Sequence, residues 1–159
     1  MIKNDKTDIV KKDENKPVEF GYNFSFYKSL KEKTPKQYIK QRPGRGGKMF
    51  DYVEVGYITD FLNKKFNCMW SFEIIDKQIG HEKVYVLGRL TIYVPTPFGI
   101  QEIKKEQFGG ADIKKDSKTG KVIDIGDDLK AAASDSLKKC ASMLGIASDV
   151  YWKNLDENT

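Results

Sequence analysis

Between Met69 and Phe108 the chain carries three apolar, alternating stretches joined by connections too short for anything but antiparallel neighbours. Met69–Lys77 alternates around Trp70, Phe72 and Ile74. Lys83–Val94 (KVYVLGRLTIYV) is β-branched and aromatic, and Ile100–Phe108 (IQEIKKEQF) is weaker, with Ile100, Ile103 and Phe108 as its apolar points. GHEK and PTPFG are the turns between them. A meander with one apolar face must be covered, and the sequence offers helices for that. Val55, Ile58, Leu62 and Phe66 recur at helical spacing and predict a helix over Tyr52–Phe66, with Asp51 near its start and Asn67 as its stop. The run DDLKAAASDSLKKCASMLG predicts a longer one. Asp127 and Asp128 suit its N-terminus, Leu129, Ala133, Leu137, Cys140 and Leu144 form the expected buried stripe, and Gly145 sits where a C-cap belongs. A short helix is expected over Phe26–Lys33, before Pro35. The fold class that follows is α+β: an antiparallel three-stranded β-meander with a long packing helix, a β-β-β-α core preceded by a shorter helix.

The chain has 159 residues, enough for one domain with a real core. Residues 1–19 are charged on both signs and offer little to bury, so a disordered tail is expected there. The domain is expected over 20–153, followed by a polar tail over 154–159. No apolar run is long enough to cross a bilayer, and the N-terminus has no signal-peptide stretch. Cys68 and Cys140 lie far apart without metal-ligand spacing; free thiols in a reducing compartment are expected, a long-range disulfide being the alternative.

Net charge is +5, which alone says little about a partner. Its distribution says more. Lys28, Lys31, Lys33, Lys36, Lys40, Arg42, Arg45 and Lys48 are opposed only by Glu32, while acids gather in the tails and around Asp124–Asp128. The segment PKQYIKQRPGRGGKMF reads as a flexible basic loop. Reactive constellations are missing from the sequence: His81 is the only histidine and falls in a turn, and no phosphate-binding P-loop motif is present. Asp60, Glu73, Asp76, Glu102 and Glu106 are read as solvated-face residues rather than a nuclease's metal ligands. Phe61, Phe66, Trp70 and Phe72 are assigned to the core. A basic, aromatic-bearing surface suits single-stranded nucleic acid, because cations follow phosphates and aromatic rings stack on bases. On the long helix, Lys130 and Lys138 share a side two turns apart, with Lys139 beside them. Such lysines are either ordinary solvated residues or a ladder for a phosphate backbone.

Taken in order, the motifs P-x-x-Y-I-x-x-R (Pro35, Tyr38, Ile39, Arg42), G-G-K (Gly46, Gly47, Lys48), an aromatic helix start at Tyr52, N-x-x-F…W (Phe66, Trp70), Q-F-G-G (Phe108, Gly109, Gly110) and A-x-S-D-S-L-K-K-x-A-x-x-L-G (Asp135, Leu137, Lys138, Lys139, Ala141, Leu144, Gly145) resemble the Rad52 family of single-strand annealing proteins. The resemblance covers about residues 20 to 153 and is nearest the phage Sak and bacterial DdrA-like branch. It implies subunits that assemble side by side into rings or arcs, with a basic outer groove that holds one DNA strand by its backbone and leaves the bases exposed. Carried across by position, Arg42 is the groove arginine, Lys138 the groove lysine, Lys139 its neighbour and Lys130 a further basic position. Tyr52 is the aromatic at the first helix start, with Arg45 and Lys48 in the basic loop. Ser142 stands where eukaryotic members carry another basic residue. The end at Thr159 leaves no counterpart of their long partner-binding tail, and GGADIKKDSKTGKVIDIG is longer than their equivalent segment. What this implies is binding and annealing of single-stranded DNA in recombination and repair, without ATP, metal or other cofactor. The protein is not expected to be an enzyme. Expected partners are single-stranded DNA, further copies of the chain and a single-strand-binding protein, with no membrane, in the cytoplasm of a bacterial or phage-infected cell. Rival readings are an end-protection or RNA-binding module that does not anneal, and a small metal-dependent nuclease.

Overall fold

The computed structural model describes residues 24–152, apart from the side chains of residues 24, 25 and 45. The tails expected at 1–19 and 154–159 lie outside the described residues. In chain order the elements are α1 (Phe24–Leu30), β1 (Ile39–Pro43), β2 (Met49–Val53), α2 (Val55–Phe66), β3 (Trp70–Ile79), β4 (Lys83–Thr96), β5 (Gly99–Asp112), α3 (Ile125–Ser142) and α4 (Ser148–Tyr151).

The predicted meander is present as an antiparallel sheet in the order β3-β4-β5, with Trp70 opposite Ile92 and Ile92 opposite Ile103. A register shift between Ile74 and Asp76 accommodates one extra residue in β3. The turn at GHEK is closed by Gly80 N–H donating to the Lys83 carbonyl, 2.9 Å. Alternation along β4 puts Val84, Val86, Leu90 and Ile92 on the inner face, all buried. Against Leu90 and Ile92 pack Ile58, Phe61, Leu62 and Phe66 of α2, and Leu137, Cys140 and Ala141 of α3 with Leu144 just beyond it, while Val84 and Val86 pack with Ile113 and Ala132. Asn67 ends α2 in a left-handed conformation (φ 50°), as its position predicted.

The long helix is where expected but capped and rotated differently. Asp124 is its N-cap, accepting from the Gly126 N–H at 2.7 Å and the Asp127 N–H at 3.3 Å. Asp127 and Asp128 lie in its first turn, as expected, and Asp128 is in addition fully buried and accepts from the Lys114 N–H at 3.0 Å, tying the segment after β5 to the helix. Leu137, Cys140 and Leu144 of the expected stripe are buried, but at the N-terminal half Ala132 and Ser136 take the inner positions, while Leu129 and Ala133 are only half-buried. The reason is close approach. A Cβ on Gly109 would overlap the Ala132 carbonyl oxygen and the Ser136 amide, and one on Gly88 would meet Ser136 Oγ. These two glycines let the small-residue face of α3 lie directly on strand backbone. Ser136 Oγ donates to the Gln107 carbonyl at 2.7 Å across that contact.

Two sequence readings are corrected at the N-terminal side. The basic loop is a β-hairpin: β1 pairs with β2 from Ile39↔Val53 to Pro43↔Met49, and Gly44 N–H donates to the Lys48 carbonyl at 2.8 Å. Gly46 and Gly47, at φ 73° and 74°, turn the chain tightly rather than loosening it. Tyr52 consequently lies on β2, and α2 begins only at Val55.

The hairpin is anchored at its base. Val53 is fully buried, its N–H donates to Tyr151 Oη at 3.1 Å, and Tyr151 O–H donates back to the Val53 carbonyl at 3.5 Å. Thr34 secures the same end through Asp149, by its N–H at 2.9 Å and its hydroxyl at 2.7 Å. Tyr151→Phe strands the Val53 N–H in a buried setting, so a loss of about 1–2 kcal/mol is expected. That is a fall of several degrees in melting temperature, to be read by calorimetry; an unchanged melt would mean that the hairpin base is held by packing alone.

Candidate nucleic-acid interface

A groove runs between the face of the β1–β2 hairpin and the exposed side of α3. Two adjoining cavities, about 850 and 1130 Å³, share Arg42, Phe50, Tyr52, Asp135 and Lys138 as their common wall. The hairpin explains why Arg42 and Tyr52 meet. Lys40 is opposite Tyr52 and Arg42 opposite Phe50, so Arg42 and Tyr52 are diagonal neighbours on one face of the ribbon. Lys138 reaches the same ring from α3. Its Nζ lies 5.6 Å from the Tyr52 ring centroid, and the Arg42 guanidinium carbon lies at 5.9 Å. One tyrosine thus carries two cations.

The electrostatics of this pair differ from those of the ion-paired basic residues. Lys139 is bound to Asp135 (2.9 Å) and donates to the Phe108 carbonyl (3.1 Å). Lys130 pairs with Asp127, Lys64 with Asp60, Arg89 with Glu106 and Lys104 with Glu102. Among the described residues, neither Arg42 nor Lys138 forms an ion pair. Burial holds the Lys138 ammonium below the usual lysine range; Asp135 opposes that shift, while Arg42 and Lys139 add to it. A half-buried cation beside two like charges is a group whose environment improves when an anion arrives.

The sequence candidates therefore divide. Arg42, Tyr52, Lys138 and Lys139 converge on the groove. Lys130 does not line either cavity and is engaged with Asp127 on the helix surface. Lys48 is exposed in the hairpin turn, and the side chain of Arg45 lies outside the described residues. Ser142 lines the smaller cavity, its hydroxyl donating to the Lys139 carbonyl at 2.8 Å. Sequence reasoning missed Asp135, Met49, Phe50, Tyr151 and Trp152 as groove residues. The cross-strand register would have found Phe50 through Arg42; nothing local to Trp152 points to the groove, since α4 brings it there.

The acids that a nuclease would need as metal ligands do not gather among the described residues. Asp60, Glu102 and Glu106 are held in separate ion pairs, and no cluster of three metal-ligating side chains occurs among the described residues. His81 is exposed in the β3–β4 turn, Cys140 is buried and Cys68 exposed, both as free thiols. No described helix is long and apolar enough to cross a membrane.

Compared with known families, residues 25–158 match the model described as the Rad52/22 family double-strand break repair protein. No curated protein matches the chain.

Proposed function

The chain belongs to the Rad52/22 family of double-strand break repair proteins, and from that premise we propose that it binds single-stranded DNA and anneals complementary strands without ATP. The observation that carries this reading is the Arg42–Tyr52–Lys138 arrangement: two cations without ion-pair partners among the described residues, on one aromatic ring, in an open groove. Arg42 makes a forked contact to phosphate, and Lys138 supplies a point charge one helix away. Lys139 joins them by exchanging Asp135 for a phosphate oxygen. Contacts of this kind hold the backbone without reading sequence. Most bases remain free to test a second strand, and duplex formation supplies the driving free energy. Lys48 and Lys130 contribute to the positive field along the strand. Side-by-side assembly of subunits would join short grooves into a long one, adding avidity without new chemistry.

The experiment is strand pairing by two complementary dye-labelled oligonucleotides, without ATP or magnesium. Pairing faster than the protein-free rate is expected. Tight binding at the background pairing rate would overturn annealing in favour of strand protection.

Asp135 gives a prediction of opposite sign. Its carboxylate accepts from the Gly110 N–H at 3.0 Å and from Lys139, within reach of the Lys138 charge. Asp135→Asn keeps an acceptor for Gly110 and removes a negative charge from the groove. Affinity for single-stranded DNA should rise roughly threefold at low salt, and the gain should shrink as salt screens it. A decrease measured by fluorescence anisotropy would show that Asp135 orients Lys139 rather than competing with the strand.

A further inference from the structure

The cationic wall of the groove ends in apolar surface that phosphate binding does not use. Met49, Phe50 and Trp152 all line the smaller cavity and are exposed to 54%, 50% and 42%. Large apolar side chains gathered at a cavity mouth are a binding feature rather than chance exposure. We propose that Phe50 and Trp152, with Met49 beside them, form a stacking site for one nucleobase of the strand whose phosphates Arg42 and Lys138 hold. The proposal rests on the single-strand-binding reading above and adds to it a base contact in each subunit.

Charge and geometry together select this occupant. Phe50 is the cross-strand partner of Arg42, so apolar ring and guanidinium lie within one residue pair. A ligand that spans both must carry an anion and a flat apolar face a short distance apart, which is what a nucleotide unit carries. An apolar peptide segment would leave Arg42 and Lys138 uncompensated, and a bare phosphate would leave the rings wet. The platform is also set in advance. The Phe50 ring occupies the space that any side chain at residue 44 would need, so Gly44 is what permits its position. The Trp152 main chain is held where α4 ends, its backbone N–H donating to the Ser148 carbonyl at 2.7 Å. A ring already in place, as that of Phe50 is, loses little conformational freedom on binding. Stacking of this kind tolerates any base, because every base has a π-face. It therefore adds affinity without sequence preference, and leaves the remaining bases of the strand available for pairing.

The test compares the full-length chain's affinity for an oligothymidylate with that for an equally long strand of the same phosphodiester backbone carrying abasic sites. Both are measured by anisotropy, for the wild type and for Phe50→Leu/Trp152→Leu. Leucine keeps apolar volume and removes the aromatic face; a thermal melt of the double variant verifies its fold. The wild type should bind the abasic strand about tenfold more weakly. In the double variant that ratio should fall to about one. Equal wild-type affinity for both strands overturns the stacking site and leaves the phosphate groove standing. A ratio retained by the double variant places the base contact elsewhere, and an equal loss for both strands makes the rings shapers of the groove; either result overturns the proposal. A lower oligomer mass for the double variant, with a wild-type ratio of one, would assign the rings to a contact between copies. If neither strand binds the wild type, the single-strand reading falls and the stacking site falls with it.

Discussion

Gly109→Ala should lower stability by about 3 kcal/mol and the melting temperature by roughly 10 °C, whereas Gly110→Ala, one residue away, should cost a small fraction of that. The contrast comes from the two faces of β5. On the inner face, a methyl group at residue 109 would overlap the Ala132 carbonyl oxygen and the Ser136 amide, and would stand 2.9 Å from Ser136 Cα. All three are helix backbone, which no rotamer change can move. Relief requires α3 to lift from the sheet, stretching the Ser136 hydroxyl bond to the Gln107 carbonyl and the Cys140 thiol contact with the Gly88 carbonyl at 3.6 Å. It also opens the packing of Leu137 and Ala141 on β4. On the outer face, a methyl at residue 110 would meet the Tyr85 ring at 3.4 Å, an ordinary contact. The Gly110 N–H would still donate to Asp135. Calorimetry on both variants decides the matter. Equal losses would mean that the helix is not seated on Gly109 as described.

This close seating also explains what the sequence could and could not reveal. The meander was legible because alternation and short turns are local signals, and both hairpins of the sheet follow from them. The rotation of α3 was not. Leu129 and Ala133 look like core by hydrophobicity, but the face carrying Ala132 and Ser136 can come nearer to strands that present glycine. That depends on residues 88 and 109, distant in the chain from the helix. The burial of Asp128 was not legible for a related reason: its partner is the backbone of Lys114, and nothing at residues 127–128 distinguishes the exposed carboxylate from the buried one.

The hairpin was read as a loop because Gly44, Gly46 and Gly47 dominate its composition. What makes it a ribbon is the anchorage of Val53 by Tyr151, a contact spanning 98 residues. The same anchorage builds the groove. It turns Arg42, Phe50 and Tyr52 toward α3, so the site depends on a pairing that no window of sequence contains. Arg42 and Lys138 were nevertheless singled out from sequence, through their places in ordered motifs. Lys130 joins them in the sequence both by helical angle and by its place in the same family resemblance, yet neither cavity wall includes it.

Arg42→Ala combined with Lys138→Ala should weaken single-strand binding on the order of a hundredfold, if each charged contact contributes about 1.5 kcal/mol or slightly less. The logarithmic salt slope should fall by about 1.4, since each lost phosphate contact removes about 0.7 for a single strand. Stability should barely change, because neither residue forms an ion pair among the described residues. Lys138 adds a pH signature. Its pKa in the folded chain lies below 10.5, through burial first and then Arg42 and Lys139, against Asp135. Between that lowered value and 10.5 the unfolded chain holds more protons, so this group's contribution to stability rises with pH. DNA affinity moves the other way, falling as the ammonium loses its proton at a lower pH than an ordinary lysine would. Lys138→Arg should keep binding near neutral pH and flatten that decline, because a guanidinium stays protonated throughout. Anisotropy titrations from about pH 7 to 10 would read the difference. A decline of the same steepness in Lys138→Arg would move the titrating group elsewhere, and a double variant with an unchanged salt slope would remove both residues from the path of the phosphates.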